Sequence, residues 1–178
     1  MLFRSYKPVI YNDQLLFAAQ NGNFYALNLS DGTLLWKTPL SNGIPSDAGV
    51  SSIAIDYEKQ DIYWAYGITQ KNSTGDYVTY EGTLYRMNLM NGRNLIETHF
   101  QANATGPFLT QYNPNLGLAL LNNTAYLTVQ TDLWCFNKMT LTVISTEHFD
   151  HTLLQPIAVD GRVYVTADLY AISYKDES

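Results

Sequence analysis

Cysteine is almost missing from this chain: Cys135 stands alone among 178 residues. A single thiol excludes an internal disulfide and any cysteine-rich metal centre. Cations are scarce as well, ten Lys and Arg against sixteen Asp and Glu, for a net charge of −6. Nucleic acid and anionic membrane surfaces call for the opposite balance, because both are held by clustered positive charge. No apolar run approaches the ~20 residues of a membrane-spanning helix. The opening MLFRSYK lacks the apolar stretch of a signal peptide, so the chain is expected to be either cytosolic or a piece of something longer. Phosphate-cradling glycine patterns and the G-x-S-x-G nucleophile elbow are also absent.

What the chain has in quantity is aromatic residues: fourteen Tyr, seven Phe and three Trp. Aromatic and β-branched residues fit pleated, half-buried surfaces, so the composition leans towards strands. Apolar residues alternate rather than recur at helical spacing, and turn signals come too often for long helices. The stretch from Lys7 to Leu40 reads as four short strands, near Pro8–Tyr11, Leu15–Ala19, Phe24–Leu29 and Leu34–Lys37. Asn12-Asp13, Asn21-Gly22 and Asp31-Gly32 separate them. These residues tolerate positive φ and so make tight turns.

The same order of strands recurs. Asp160-Gly161 matches the Asn12-Asp13 turn, Val163-Tyr164-Val165 matches Leu15-Leu16-Phe17, and Leu169 to Ile172 matches Phe24 to Leu27. Between these copies, Leu84 to Asn88 and Asn91-Gly92 echo Phe24 to Asn28 and Asp31-Gly32. A third copy places Trp134 at the Tyr25 position, with a turn that reads as shorter and without its glycine. The expected units are residues 7–40, 50–100, 116–149 and 155–178, the last lacking a fourth strand. A spacing near 40–50 residues is that of a four-stranded propeller blade. The expected fold is therefore all-β, a β-propeller of about four four-stranded blades, partial or small. An ordinary β-sandwich with coincidentally similar hairpins is the alternative. Residues 1–6, in which Leu2-Phe3-Arg4 resembles Leu35-Trp36-Lys37, are a candidate closing strand for the last blade or a remnant of a preceding one.

Ala26, Asn28, Asp31-Gly32 and Trp36 carry a more specific likeness. Their spacing resembles the repeat of the pyrroloquinoline-quinone-type (PQQ-like) propellers, Ala-x-Asp-x-x-Thr-Gly-Lys-x-x-Trp. Ala26, Gly32 and Trp36 match, whereas Asn28, Asp31 and Thr33 replace the Asp, Thr and Lys. The second copy keeps Asn88 and Gly92 but has Ile96 where the Trp would stand. The resemblance implies that Asn28 hydrogen-bonds turn backbone, Gly32 supplies an unusual backbone conformation and Trp36 fills the gap between blades. Dehydrogenases of the family hold their quinone with an adjacent-Cys disulfide, a calcium ion and an Asp base. One Cys cannot make that disulfide, and no acid set matches the calcium ligands. The expectation is a non-catalytic binding or scaffold module with no cofactor and no metal; the alternative is a fragment of a quinone-dependent dehydrogenase, and a third reading is a purely structural piece of a surface protein.

Sequons start at Asn28, Asn72, Asn103 and Asn122. The last three are candidate glycosylation sites and hint at an extracytoplasmic location; Asn28 lies in a tight turn. Protein or glycan partners are expected on long rim connections. One is Gly67 to Gly82, with Tyr66, Tyr77 and Tyr80, and the other is Gln101 to Asn115. Self-association, or blades from missing sequence, would complete a ring. His148 and His151 with Glu147, and the Asp56, Glu58 and Asp61 group, read as solvated loops rather than metal sites. His99 has no partner visible in the sequence.

Overall fold

The protein is described by a computed structural model covering residues 5–40, 43–45, 48–71, 73–75, 77–103, 116–167 and 170–175. Among these residues there is no helix; all regular structure is strand. Four antiparallel sheets follow one another along the chain. The first contains β1 (Ser5–Tyr11), β2 (Gln14–Ala19), β3 (Asn23–Asn28) and β4 (Leu34–Pro39), in sequence order. In the second, β5 (Gly49–Val50) and β6 (Ala54–Asp56) both pair with β7 (Asp61–Lys71), followed by β8 (Tyr77–Asn88) and β9 (Ile96–Asn103). The third holds β10 (Leu116–Leu121), β11 (Thr124–Val129), β12 (Asp132–Asn137) and β13 (Val143–His148). The fourth has three strands among the described residues: β14 (Ile157–Val159), β15 (Arg162–Ala167) and β16 (Tyr170–Lys175).

These sheets are propeller blades, and apolar clusters join consecutive ones. Leu16, Ala18, Phe24 and Ala26 of the first blade share a core with Ile62, Trp64, Tyr66, Tyr85 and Met87 of the second. Tyr63, Ala65 and Leu84, on the opposite face of the second blade, join Ala125, Leu127, Val129 and Phe136 of the third. Tyr126 and Leu133 of the third join Val163, Val165 and Ala167 of the fourth. Side chains alternate across a strand, so a blade with neighbours on both sides must be apolar at consecutive positions. That is why β11 is buried throughout and β7 is buried from Asp61 to Gly67, whereas β15 alternates buried and exposed. Each large side chain taken out of water here contributes roughly 1.5–3 kcal/mol.

The turn between the third and fourth strands of a blade is one device used three times. Gly32, Gly92 and Leu141 each donate a backbone N–H to the carbonyl four residues earlier, on Asn28, Asn88 and Asn137. All three take positive φ, at 73°, 65° and 56°. The third turn is therefore the same length as the others, not shorter. Leu141 accepts the left-handed conformation that glycine takes in the other two because its side chain, 1% exposed, is locked into the core between the second and third blades.

Two other expectations are corrected. Ser5 and Tyr6, read from the sequence as part of a candidate closing strand or of a remnant of a preceding blade, pair with Ala19 and Ala18 in the first blade; residues 1–4 lie outside the described part. In the fourth blade the backbone register puts Ile172, not Tyr170, in the row of Tyr25: Ile172 pairs with Val165 as Tyr25 pairs with Phe17. The cause is a shorter hairpin, with Ala167 paired to Tyr170, against the longer connection that pairs Ala19 with Asn23.

Candidate functional site

The largest departure from the repeat is a continuation of strand. From Gly67–Gly82 onward, β7 and β8 stay paired as far as Lys71–Tyr77, and β9 follows alongside to Asn103. The second blade thus carries a three-stranded extension beyond the length of its neighbours. Gly82 makes the start of this extension compact. A Cβ there would lie 2.1 Å from the Tyr66 carbonyl oxygen and 2.4 Å from the Phe100 ring.

An open cavity of about 550 Å³ lies on one face of the extension. Two cross-strand rows build its floor: Tyr66, Thr83 and His99, then Ile68, Glu81 and Gln101. Pro45, from the connection between the first two blades, contributes to the wall, as does Phe100. The Thr83 hydroxyl lies 2.9 Å from His99 Nδ1 and orients the exposed imidazole. Glu81 accepts a short hydrogen bond of 2.5 Å from the Gln70 amide. The cavity therefore combines apolar surface with a carboxylate, an imidazole and an amide. Thr83 is only 1% exposed, so its hydroxyl positions His99 and is closed to a substrate. The sequence pointed to this region through its length but missed Glu81, Thr83 and His99 as a group, because only the strand register brings them into rows.

The aromatics expected to face a partner do not all do so. Tyr66 is 7% exposed and belongs to the core between the first two blades. Tyr80 is 2% exposed in the next core, where burial, with Asp132 adding to it, pushes its hydroxyl up to about 12. The side chain of Tyr77 lies outside the described residues, as do Asn72 and residues 104–115 of the second long connection.

The repeat-motif residues are structural in their contacts. Asn28 Oδ1 accepts hydrogen bonds from the Ser30 amide and hydroxyl, and Asn88 Oδ1 from the Met90 amide. Ala26 is fully buried. Trp36 stacks on Phe24 at 5.9 Å and reaches into the next blade, where a Cβ on Gly92 would meet its ring at 2.5 Å. Thr38 completes that contact by donating to the Gly92 carbonyl at 2.7 Å. Gly32, with the same conformation, faces open space.

The acidic and histidine groups are held by protein partners. Asp56 pairs with Lys138 of the third blade at 2.7 Å, and Asp61 with Arg86 at 2.7 Å. Burial pushes the Asp56 carboxyl up, but the Lys138 ammonium and the amides of Lys59 and Glu58 outweigh it and hold the group below the usual carboxylate value. His148 Nδ1 lies 2.7 Å from Asp132. His99, which had no partner in the sequence, has Thr83. Among the described residues no three His, Cys, Asp or Glu side chains come together as a metal site. Asn122 sits exposed in the β10–β11 turn, Asn103 ends β9, and the Asn28 amide is engaged in its own turn.

Comparison with known proteins agrees with the architecture. No family model matches the chain, and no curated protein matches it by sequence. Among solved structures, it is similar to the computationally designed Ika4 protein, with a TM-score of 0.60 and 11% identity, over 97% of this chain and 91% of that one. It is similar to the Myceliophteria thermophila Cps50 (Swd1) β-propeller domain at a TM-score of 0.60 and 6% identity, covering 98% of this chain and 54% of the other. The RRP9 WD40 repeats give 0.54 and 15%, covering 98% and 52%. The chain thus spans about half the length of the two natural propellers. At such low identity the likeness shows the fold, and this chain is built as a β-propeller of four-stranded repeats.

Proposed function

We infer that the chain is a non-catalytic propeller module of the PQQ-like type that binds a polypeptide segment of a partner through the extension on its second blade. The observation that carries this reading is the cavity on that extension, where Pro45 and Ile68 lie beside Glu81, His99 and Gln101. A floor of this kind takes an apolar side chain, while the polar groups fix the orientation of a peptide. Elaborations carried on a rigid scaffold are frequent places for recognition. The repeat motif of Ala26, Asn28, Gly32 and Trp36 supports the PQQ-like assignment. The exposed sequon at Asn122 supports a place in a larger extracytoplasmic protein.

Selection of displayed random peptides against the chain, in parallel with a glycan array, tests the reading. Peptides whose binding falls at least tenfold in His99→Ala and in Glu81→Gln are expected. Glycans alone, or ligands indifferent to both substitutions, would overturn it.

A further inference from the structure

The two ends of the blade row are unfinished in complementary ways. In every internal joint the face of one blade that points forward along the chain packs on the backward face of the next. The backward face of the second blade consists of the cross-strand pairs Ile62–Met87 and Trp64–Tyr85, followed by Leu89 in the turn. All five side chains are fully buried. The register places Leu15–Leu27, Phe17–Tyr25 and Leu29 at the same positions of the first blade. The two turn residues are equivalent down to one hydrogen bond: the Leu29 and Leu89 amides donate to the carbonyls of Asp13 and Gln60. Phe17 and Tyr25 stack at 5.4 Å and 17°, as Trp64 and Tyr85 stack at 4.5 Å and 13°.

The first blade therefore carries a complete backward face, and among the described residues no preceding blade covers it. Leu29 is 45% exposed and Ile10, which pairs with Leu15 on the same face, is 60% exposed. Pro8, Leu15, Phe17, Tyr25 and Leu27 line an open apolar groove there. At the other end, the forward face of the fourth blade shows Ile157 at 61%, Val159 at 48% and Tyr164 at 37% exposure. Cross-strand pairing of Ile157 with Tyr164 and of Val159 with Arg162 puts these on one face. Val163 and Val165 on the other face are fully buried against the third blade.

We propose that a second copy of this chain docks head to tail on these faces, the backward face of the first blade receiving the forward face of the partner's fourth blade. The contact continues the interface already repeated three times within the chain. A head-to-tail contact between unlike faces closes into a ring when the rotation permits. Two copies of four blades make eight, within the four to eight of known propellers. This goes beyond partner recognition on the rim, since it uses surfaces on which the cavity of the second blade has no residue.

Light scattering coupled to gel filtration tests it with the full chain. The wild type is expected at twice the 20.1 kDa of one copy. Ile10→Lys and Ile157→Glu change side chains that are more than half exposed, so each variant is expected to keep its circular dichroism spectrum. Each alone is expected to run as a monomer at concentrations where the wild type is dimeric. Mixed in equal amounts they are expected to regain a dimer, because one of its two joints is then native and the other sets a lysine opposite a glutamate. A wild type that stays monomeric across a hundredfold range of concentration, or a dimer unaffected by both substitutions, would overturn the proposal.

Discussion

The first two joints between blades use one backbone device and opposite chemistry. In each, the turn after the third strand of a blade docks on the forward face of the blade before it. In the first joint that turn presents Leu89, fully buried, and Gly92, against which Trp36 and Thr38 pack. In the second, the position of Leu89 is taken by Lys138, whose ammonium pairs with Asp56 and whose carbonyl accepts from the Tyr63 hydroxyl. Arg86 adds a bond to the Met139 carbonyl of the same turn while pairing with Asp61. The first joint is therefore a hydrophobic and steric fit. The second includes charges that have left water and are held because each has a partner. The repeat fixes where the blades touch, and the side chains at the touching positions set which conditions weaken the contact.

Truncating the aromatic joint should have the largest effect. Trp64 is fully buried and stacks on Tyr85 at 4.5 Å, so Trp64→Ala should cost about 3–5 kcal/mol in a urea melt. Next comes Gly92→Ala. It meets the Trp36 ring and adds a side chain at a φ of 65°, which together should cost about 3 kcal/mol. Lys138→Ala strands the Asp56 carboxylate, and two amides still hold it, so the loss should be about 2–3 kcal/mol, near the low side for a broken buried pair. If Lys138→Ala and Asp56→Asn prove silent, the charged joint contributes specificity of fit rather than stability. The smallest effect belongs to Gly32→Ala, which shares the conformation of Gly92 but meets nothing within 4 Å; it should cost about 1 kcal/mol, the backbone strain alone. The gap between the two glycine variants measures the steric part of the first joint.

Acid should separate the joints further. The folded-state value of Asp56 is depressed below the ordinary 3.8. Its contribution is therefore complete above that value and is lost as pH falls through the lower, folded-state one. Acid titration of the wild type and of Asp56→Asn, followed by tryptophan fluorescence, should show a smaller loss of stability below pH ~4 in the variant. Equal acid sensitivity would mean that another carboxylate governs the transition.

The pattern of turns and strands made the blades legible because each depends on neighbours in sequence. Asn28 and Asn88 set their turns through local side chain-to-backbone bonds, so the motif could be read without any tertiary knowledge. The third turn misled because Leu141 holds a conformation that only packing from another blade makes affordable. Tyr66 and Tyr80 misled for the same reason: the sequence shows a tyrosine in an inserted segment, not which face of a strand meets a neighbouring blade. The cavity at Glu81, Thr83 and His99 depends on cross-strand register, which joins residues far apart in the chain.

The sequence by itself determined that this protein is all-β, that its hairpins repeat and where its tight turns fall, since these follow from alternation and from backbone preferences of Asn, Asp and Gly. Only the tertiary structure decided which aromatic rings are buried, which acids are paired and which apolar faces remain open. Those outcomes depend on what stands opposite each strand face, and in a row of blades the opposite residue comes from the next blade.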